Sequence, residues 1–265
     1  MKLKIPFRKE RKTVSVIRLS GLIASGARGQ LNDQTLATVI DKAFDRGRPS
    51  AVALVINSPG GSPVQSSLIG ARIRRLADER DIPVYSFVED VAASGGYWLA
   101  VAADEIYVDA NSIVGSIGVI SAGFGLHNFI SRYGVERRVY TAGKSKSTLD
   151  PFKPEKPEDV ERLKLMLEQV HENFKDHVIS RRGKKLADGH DLFNGEFWAG
   201  KKAIELGLAD NIGHLDSVMK AHFGDKVRLK TYGPKKSWAT RFSGKIIDEA
   251  ALLLEEKIAL AKFGL

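Results

Sequence analysis

One apolar segment does most to limit what this chain of 265 residues can fold into. Residues 51–56 run Ala-Val-Ala-Leu-Val-Ile without a polar interruption, and the sequence Asn-Ser-Pro-Gly-Gly follows at 57–61. An uninterrupted apolar run of this length is typical of a β-strand that is covered on both faces, and the Pro and Gly residues signal a turn at its end. The run therefore predicts a buried strand in a sheet that has helices on both sides.

The rest of the sequence alternates between strand and helix patterns. Patterns of strand length occur at 13–19, 51–56, 83–88, 105–108, 113–120, 135–141 and 226–232. Helical spacing of apolar residues occurs at 31–46, 66–80, 97–103, 158–182 and 245–262, and residues 195–219 suggest a helix-turn element. The polar segment 143–157 contains three prolines and is predicted to be a loop. This alternation indicates an α/β fold.

The positive charge of the chain is concentrated near its two ends. The formal net charge is +9, while residues 1–12 carry six Lys or Arg and one Glu, and residues 226–245 carry seven Lys or Arg and no acid. Such segments favour either solvated tails or contact with an anionic membrane. No zinc-finger spacing or ribonucleoprotein motif is present, so we expect no nucleic-acid partner. The absence of Cys excludes disulfides and thiolate metal sites.

Ser94 is the residue that points most directly to chemistry. It lies between the predicted strand 83–88 and the predicted helix 97–103, and Gly95 and Gly96 follow it. Glycines let a substrate backbone approach closely, and the start of a helix offers unpaired N–H groups to a developing oxyanion. The same position also suits a helix N-cap, since serine is a preferred cap residue. Taken alone, Ser94 fits the cap better, so other segments must decide.

A serine nucleophile needs a base, and histidine is the usual one. Among the six histidines, His127 is the nearest after Ser94 and is expected to begin a surface helix, while His171 and His177 are expected to be solvated on the long helix. No His-Glu-x-x-His motif is present. We therefore expect no catalytic zinc and no other metal or cofactor.

A lysine can replace histidine as the base where burial leaves its amine uncharged. The segment Gly-Lys-Ser-Lys-Ser at 143–147 follows a predicted strand and offers both Lys144 and Lys146. A loop rich in Gly and Ser could bring either amine to Ser94. The residues alone do not choose between the two lysines.

Five motifs occur in an order that resembles the bacterial signal peptide peptidase A family of Ser–Lys peptidases. They are Asn-Ser-Pro-Gly-Gly at 57–61, Ala-Ala-Ser-Gly-Gly-Tyr at 92–97, Gly-Ser-Ile-Gly-Val at 115–119, the Lys146 loop, and Gly-Leu-Ala-Asp-Asn-Ile-Gly at 207–213. The resemblance implies the spiral fold shared with Clp proteases and crotonases, in which mixed β-sheets are flanked by helices. It assigns the peptidase domain to residues 13–220, between the basic segment 1–12 and a basic C-terminal extension, 221–265, with an amphipathic helix.

The resemblance also implies roles for individual residues. Ser94 corresponds to the nucleophile, and Lys146 corresponds to the general base because the family's Gly-x-x-Lys pattern begins at Gly143. Lys144 is its neighbour and competitor. Ser116 resembles the serine that hydrogen-bonds the lysine and orients it.

The implied reaction is hydrolysis of short, mostly apolar peptides, such as remnants of signal peptides, through an acyl-enzyme. The backbone N–H groups of Gly61 and Gly95 resemble its oxyanion donors. The resemblance further implies a ring-like homo-oligomer in which Ser94 and Lys146 of one site come from neighbouring subunits. Many family members carry an N-terminal membrane anchor, but this sequence has no apolar run of about 18 residues. We therefore expect a cytoplasmic protein, with peripheral attachment to the inner membrane as a further expectation.

Two other functions fit the same scaffold. A crotonase-like acyl-CoA enzyme would use glycine turns as an oxyanion hole and acidic residues such as Glu89 and Asp90, but it would leave Ser94 and Lys146 without a role. A catalytically silent scaffold on this fold is the second alternative. The presence of Ser94, Lys146 and Ser116 argues against that scaffold.

Overall fold

The structure is a computed structural model that describes residues 11–25, 30–143, 145–233 and 257–265. The strands are β1 (Thr13–Ser20), β2 (Ala51–Ser58), β3 (Val84–Ala93), β4 (Glu105–Val108), β5 (Ile113–Gly115), β6 (Phe197–Ala199), β7 (Asn211–Ile212) and β8 (Arg228–Tyr232). The helices are α1 (Asp33–Asp45), α2 (Pro63–Arg80), α3 (Gly95–Ala100), α4 (His127–Arg132), α5 (Pro157–Arg182), α6 (Gly200–Glu205) and α7 (Leu215–Phe223). A 3₁₀ turn covers Gly183–Lys185, and residues 257–261 are helical.

The eight strands form one mixed sheet. Its main path runs β6-β5-β3-β2-β1-β8, while β4 pairs with β3 and β7 pairs with β4. All neighbouring strands are parallel except β5 and β6, which are antiparallel. The α/β fold predicted from the alternating patterns is therefore confirmed.

The apolar run at 51–56 forms the central strand β2, which lies between β1 and β3. Leu54 and Ile56 belong to the larger core cluster, together with residues of α1, α2, α3 and α5. Ala53 and Val55 belong to a smaller cluster on the other face, which α7 partly covers. Because successive side chains of a strand point to opposite faces, a strand that is covered on both sides must be apolar at every position.

Strand β3 changes its neighbour halfway along its length. Ile56 of β2 is opposite Val88, whereas Ser58 is opposite Ala92, so the pairing contains a bulge. Before this bulge β3 pairs with β4, and after it β3 pairs with β5. Bulges redirect a strand, and this one carries the end of β3, with Ser94 next in sequence, away from β4 and alongside β5.

Two strand predictions differ from the structure. The strand predicted at 135–141 is wrong, because this segment lies on the surface without a partner strand and exposes 92% of Tyr140. Residues with high strand propensity form a strand only where a neighbour supplies hydrogen bonds and packing. The strand predicted at 113–120 ends at Gly115, since Gly115 and Ser116 have φ angles of 109° and 52°.

The two terminal predictions fall mostly outside the described residues. Of the basic segment 1–12, only residues 11 and 12 are described. Of the amphipathic helix predicted at 245–262, only residues from 257 onward are described, and they are helical as far as 261. Phe263 packs against Val91 and Ala93 on the face of β3 that lies away from the larger core cluster.

Candidate active site

Ser94 joins β3 to α3 in an unusual backbone conformation, with φ 50° and ψ −121°. A positive φ is uncommon outside glycine, and such strained residues concentrate at functional sites. The N–H of Ser94 donates to the carbonyl of Gly115 at 2.8 Å, so the neighbouring strand holds this conformation in place. The side chain makes no capping hydrogen bond, although Ser94 occupies the N-cap position of α3. The capping explanation for this serine therefore lacks its defining contact.

The glycine turn after β2 packs directly against Ser94. Gly60 and Gly61 have φ angles of 100° and 141°. A Cβ atom on Gly60 would lie 2.7 Å from the backbone nitrogen of Gly95 and 2.9 Å from Cβ of Ser94. A Cβ atom on Gly61 would collide with the carbonyl of Ile23. Side chains are excluded at both positions, which lets the turn approach the serine closely.

Two backbone donors border the same small cavity as the serine hydroxyl. Ser94, Gly61 and Gly95 all line a cavity of about 110 Å³. Among the described residues, neither the N–H of Gly61 nor that of Gly95 donates a hydrogen bond. Gly61 is exposed, and Gly95 begins α3, where the first amides of a helix have no partner within it, so both are available donors. A pair of them beside a hydroxyl is suited to stabilising an oxyanion.

The remaining walls of the cavity are mainly apolar and well packed. Trp98 comes from α3, and Val170 and Phe174 lie one turn apart on α5. The Trp98 ring lies 5.1 Å from the Phe174 ring and stacks on His177 at 4.2 Å with an interplanar angle of 12°. These contacts fix the shape of the cavity and suit it to an apolar side chain.

The expectation that His171 and His177 are solvated is wrong. Nε2 of His171 lies 3.2 Å from the carbonyl oxygen of Ile117, and Nε2 of His177 lies 3.2 Å from that of Trp98. Burial lowers the pKa of His177, so its ring is neutral near pH 7 and donates through Nε2–H. Both histidines hold α5 against the loop and helix that form the cavity. His127 begins helix α4, as the sequence predicts.

Ser116 lies beside Ser94 at the end of the adjacent strand. It follows Gly115, whose carbonyl accepts the N–H of Ser94, and its own N–H donates to the carbonyl of Glu196 at 2.6 Å. Its φ angle of 52° is again unusual for a residue other than glycine. Pairing of β3 with β5 thus places the two serines at adjoining strand ends.

Lys146 is not brought to Ser94 within one chain. It lies in an exposed turn, where its backbone N–H donates to the carbonyl of Gly143 at 3.2 Å. Within the described ranges its side chain has no hydrogen bond to Ser94 or Ser116, and it does not line the cavity. Lys144 lies outside the described residues. The single chain therefore contains four of the five predicted site residues at one edge and the fifth apart from them.

Sequence reasoning missed the residues that anchor the helices around the site. The hydroxyl of the fully buried Tyr97 donates to the carbonyl of Leu208 at 2.8 Å. At the end of α5, Arg182 is 5% exposed and forms two hydrogen bonds with Asp210, at 2.9 and 3.1 Å. Burial alone would raise the pKa of Asp210, but hydrogen bonds from Arg182 and Lys185 hold it below its usual value. The sequence signal for these contacts is the Gly-Leu-Ala-Asp motif at 207–210, which contains both Leu208 and Asp210.

The described ranges contain no cluster of three or more His, Cys, Asp or Glu that could bind a metal ion. In the same ranges, no helix combines the length and apolar character that crossing a bilayer requires.

A family model described as peptidase family S49 matches residues 77–226. The chain belongs to peptidase family S49. This match contains Ser94, Ser116, Lys146 and the 207–213 motif, and it confirms the resemblance to signal peptide peptidase A. Gly61 lies just before the matched range.

Several curated proteins are similar to this S49 chain. It is 46% identical to a protein from Brucella abortus named Na(+)/H(+) antiporter NhaA; the match covers 98% of this chain and 38% of that protein. It is 30% identical to the chloroplastic serine protease SPPA of Arabidopsis thaliana, with 79% and 32% of the two chains covered. It is also 30% identical to protease 4 of Haemophilus influenzae, with 78% and 34% covered. The chain thus spans about a third of the length of these relatives.

Proposed function

We propose that this S49 protein is a serine endopeptidase that cleaves short, mostly apolar peptides with Ser94 as nucleophile and Lys146 as base. The observation that carries the proposal is the shared cavity, where a strained serine and two amides without acceptors lie against an apolar wall. The relatives named as serine protease SPPA and protease 4 support the peptidase class. The proposed substrates include remnants of signal peptides.

The proposed reaction has two halves. Lys146 Nζ takes the proton of the Ser94 hydroxyl while Oγ attacks the scissile carbonyl carbon, and the N–H groups of Gly61 and Gly95 stabilise the oxyanion. The tetrahedral species breaks its C–N bond as Lys146 returns the proton to the departing amine. Water then attacks the acyl-enzyme with Lys146 again as base, which releases the acid and regenerates Ser94. The lysine must be uncharged to accept a proton, so it must be covered in the working enzyme.

A second copy of the chain is the proposed source of that cover. The stretch from Ile120 to Tyr140 exposes large apolar side chains, namely Ile120, Phe124, Phe129, Tyr133, Val135 and Tyr140. Contiguous exposed apolar surface of this kind favours a protein interface. The N–H of Leu126 donates to the carbonyl of Pro151 at 2.6 Å, which ties this apolar stretch to the lysine loop. Docking the stretch on a neighbour would carry Lys146 towards the neighbour's Ser94, in a head-to-tail ring.

The alternative acyl-CoA activity receives less support. Glu89 forms an ion pair with Arg18 at 3.0 Å, and Asp90 accepts a hydrogen bond from Asn57 at 2.6 Å. Both acids lie at the bulge of β3 and border a different cavity from Ser94. They are therefore poorly placed to act on a substrate held beside the serine.

Hydrolysis of a fluorogenic apolar peptide tests the proposal. Ser94→Ala and Lys146→Ala should each lower kcat by about 10⁴-fold or more, as when other catalytic serines or their bases are removed. Lys146→Arg should be equally inactive because guanidinium stays charged. Lys156→Ala, an exposed lysine from the same polar region, is the matched control and should retain full rate. Full activity of Lys146→Ala would reject the dyad.

Mixing the two inactive variants tests where the lysine comes from. If each site combines residues of two subunits, random co-assembly of Ser94→Ala with Lys146→Ala restores about one quarter of the sites. If each site lies within one subunit, the mixture stays inactive. No turnover by the parent protein in its assembled form would reject the peptidase function altogether.

A further inference from the structure

Helix α1 separates its charges by face. Its acidic side chains Asp33 and Asp41 pair with Arg72 of α2 at 2.7 and 3.6 Å, and Asp45 pairs with Arg80 of α2 at 2.5 Å. The acids of α1 are therefore neutralised on the side that faces α2. Lys42 of α1 and Arg46 at its C-cap lie on a different side, facing β8.

Five exposed cations converge where α1 meets β8. Lys42 in the last turn of α1 and Arg46 at its C-cap line a groove of about 470 Å³ together with Lys230 of β8. Arg228 lies on the same face of β8 as Lys230, and Lys226 lies in the turn just before the strand; all three are exposed. In the described part of the chain, none of the five has an acidic partner within 4.0 Å. We call this set, Lys42, Arg46, Lys226, Arg228 and Lys230, the basic surface.

We infer that the basic surface docks this protein on the anionic lipids of a membrane. Exposed cations that no acid neutralises create a positive potential, which attracts an anionic partner. Lys and Arg side chains near an anionic bilayer each contribute about fivefold to binding. A row of such cations along a strand and a neighbouring helix matches an extended anionic surface.

The aromatic residues distinguish a membrane from single-stranded nucleic acid. Nucleic-acid surfaces combine cations with exposed aromatic rings on which bases stack. On the basic surface the one neighbouring ring among the described residues is Tyr232, which is buried beneath Lys230, 5.2 Å from its ammonium group.

The basic surface is separate from the catalytic cavity. Strand β8 ends the main path of the sheet on one side, while β5 and β6, next to Ser116, end it on the other. Docking through α1 and β8 would leave the cavity uncovered. This inference goes beyond the proposed peptidase activity and does not depend on it.

Co-sedimentation of the full chain with lipid vesicles tests the inference. Vesicles of phosphatidylcholine with 30% phosphatidylglycerol should bind the protein at low salt, pure phosphatidylcholine should not, and high salt should release it. The triple variant Lys226→Gln, Arg228→Gln, Lys230→Gln should bind about 100-fold more weakly. Lys42→Gln with Arg46→Gln should bind roughly 25-fold more weakly, which tests the helix side independently of the strand.

A charge-matched control separates the basic surface from net charge. The control variant removes an equal number of positive charges at exposed positions elsewhere and should keep full binding. It carries Lys164→Gln, Lys184→Gln and Lys201→Gln. Equal losses in both triple variants, or no binding of the parent protein to anionic vesicles, would overturn the inference. So would weaker binding of the β8 variant to single-stranded RNA with unchanged vesicle binding. Aggregation of the β8 variant with vesicle binding intact would show that these cations only protect the sheet edge.

Discussion

Val170 and Phe174 limit the size of the side chain that can lie beside Ser94. Their cavity of about 110 Å³ is smaller than the ~150 Å³ apolar cavity that accepts benzene in another protein. Phe174 is 4% exposed and packs on Trp98, so it cannot easily move aside. An aliphatic side chain should therefore be preferred to an aromatic one next to the cleaved bond.

Two substitutions in opposite directions test this preference. Phe174→Ala enlarges the cavity and should raise kcat/KM for peptides with Phe at that position by about 10-fold or more. Val170→Phe fills the cavity from a half-buried position and should lower kcat/KM for Leu peptides by a similar factor, while Ala peptides are spared. Leu165→Phe, on an exposed part of α5, is the control.

Equal changes in kcat/KM for all three peptides would mean that Val170 and Phe174 do not set specificity. Thermal unfolding of each variant shows whether it is still folded.

At the scale of elements, the sequence predicts most reliably those strands that are covered on both faces of the sheet. The run at 51–56 allowed one interpretation because both faces of β2 are covered. The bulge in β3, by contrast, has no sequence signature. Glu89 and Asp90 resemble other exposed acidic residues, and the bulge arises only from the pairing of β3 with β2. The segment 135–141 has strand-like residues but no partner strand. A strand-like sequence pattern therefore forms a strand only where a neighbouring strand provides hydrogen bonds and packing.

The ion pair between Arg182 and Asp210 links the end of α5 to the motif at 207–213. Asp210→Asn would leave the nearly buried Arg182 guanidinium without its anion, so we expect a loss of about 3 kcal/mol in the free energy of unfolding, measured with urea. Asp216→Asn, whose exposed carboxylate pairs with Lys220 one turn away, should have a much smaller effect because solvent screens an exposed pair. Equal losses in the free energy of unfolding for the two variants would contradict the conclusion that the Asp210–Arg182 pair stabilises the fold more than an exposed pair.

The same carboxylate gives a pH dependence with a defined sign. The pKa of Asp210 is lower in the folded chain than its ordinary value of 3.8, so its ionised form stabilises the fold above that pH. The contribution is lost as the pH falls through the lower, folded-state pKa. Unfolding measured from pH 6 down to pH 2 should therefore show a larger loss of stability for the parent protein than for Asp210→Asn. Parallel curves would contradict this assignment.

At the scale of the whole molecule, the site divides into what a single chain can assemble and what it cannot. Ser94, Gly61 and Gly95 share one cavity and Ser116 follows the adjacent strand end, because parallel strands end at a common edge, which the alternation of strands and helices already implied. Lys146 lies on an exposed loop and does not line the cavity, so neither sequence periodicity nor the fold of one copy brings it to Ser94. The family resemblance supplied that residue, and its proposed route to Ser94 requires a second copy.

Assembly should therefore control activity. Phe124 and Phe129 are 86% and 60% exposed, so replacing both with Glu should change the stability of a single chain by only about 0.5 kcal/mol each. Burying those charges in an apolar interface would be far more costly, and the variant should be monomeric by light scattering and inactive on peptides.

The control is Ile212→Glu, at an exposed apolar position on β7, which should assemble and cleave normally. The parent protein should lose specific activity on dilution as its measured mass falls. A Phe124→Glu, Phe129→Glu monomer with full activity would mean that Lys146 reaches Ser94 within its own chain.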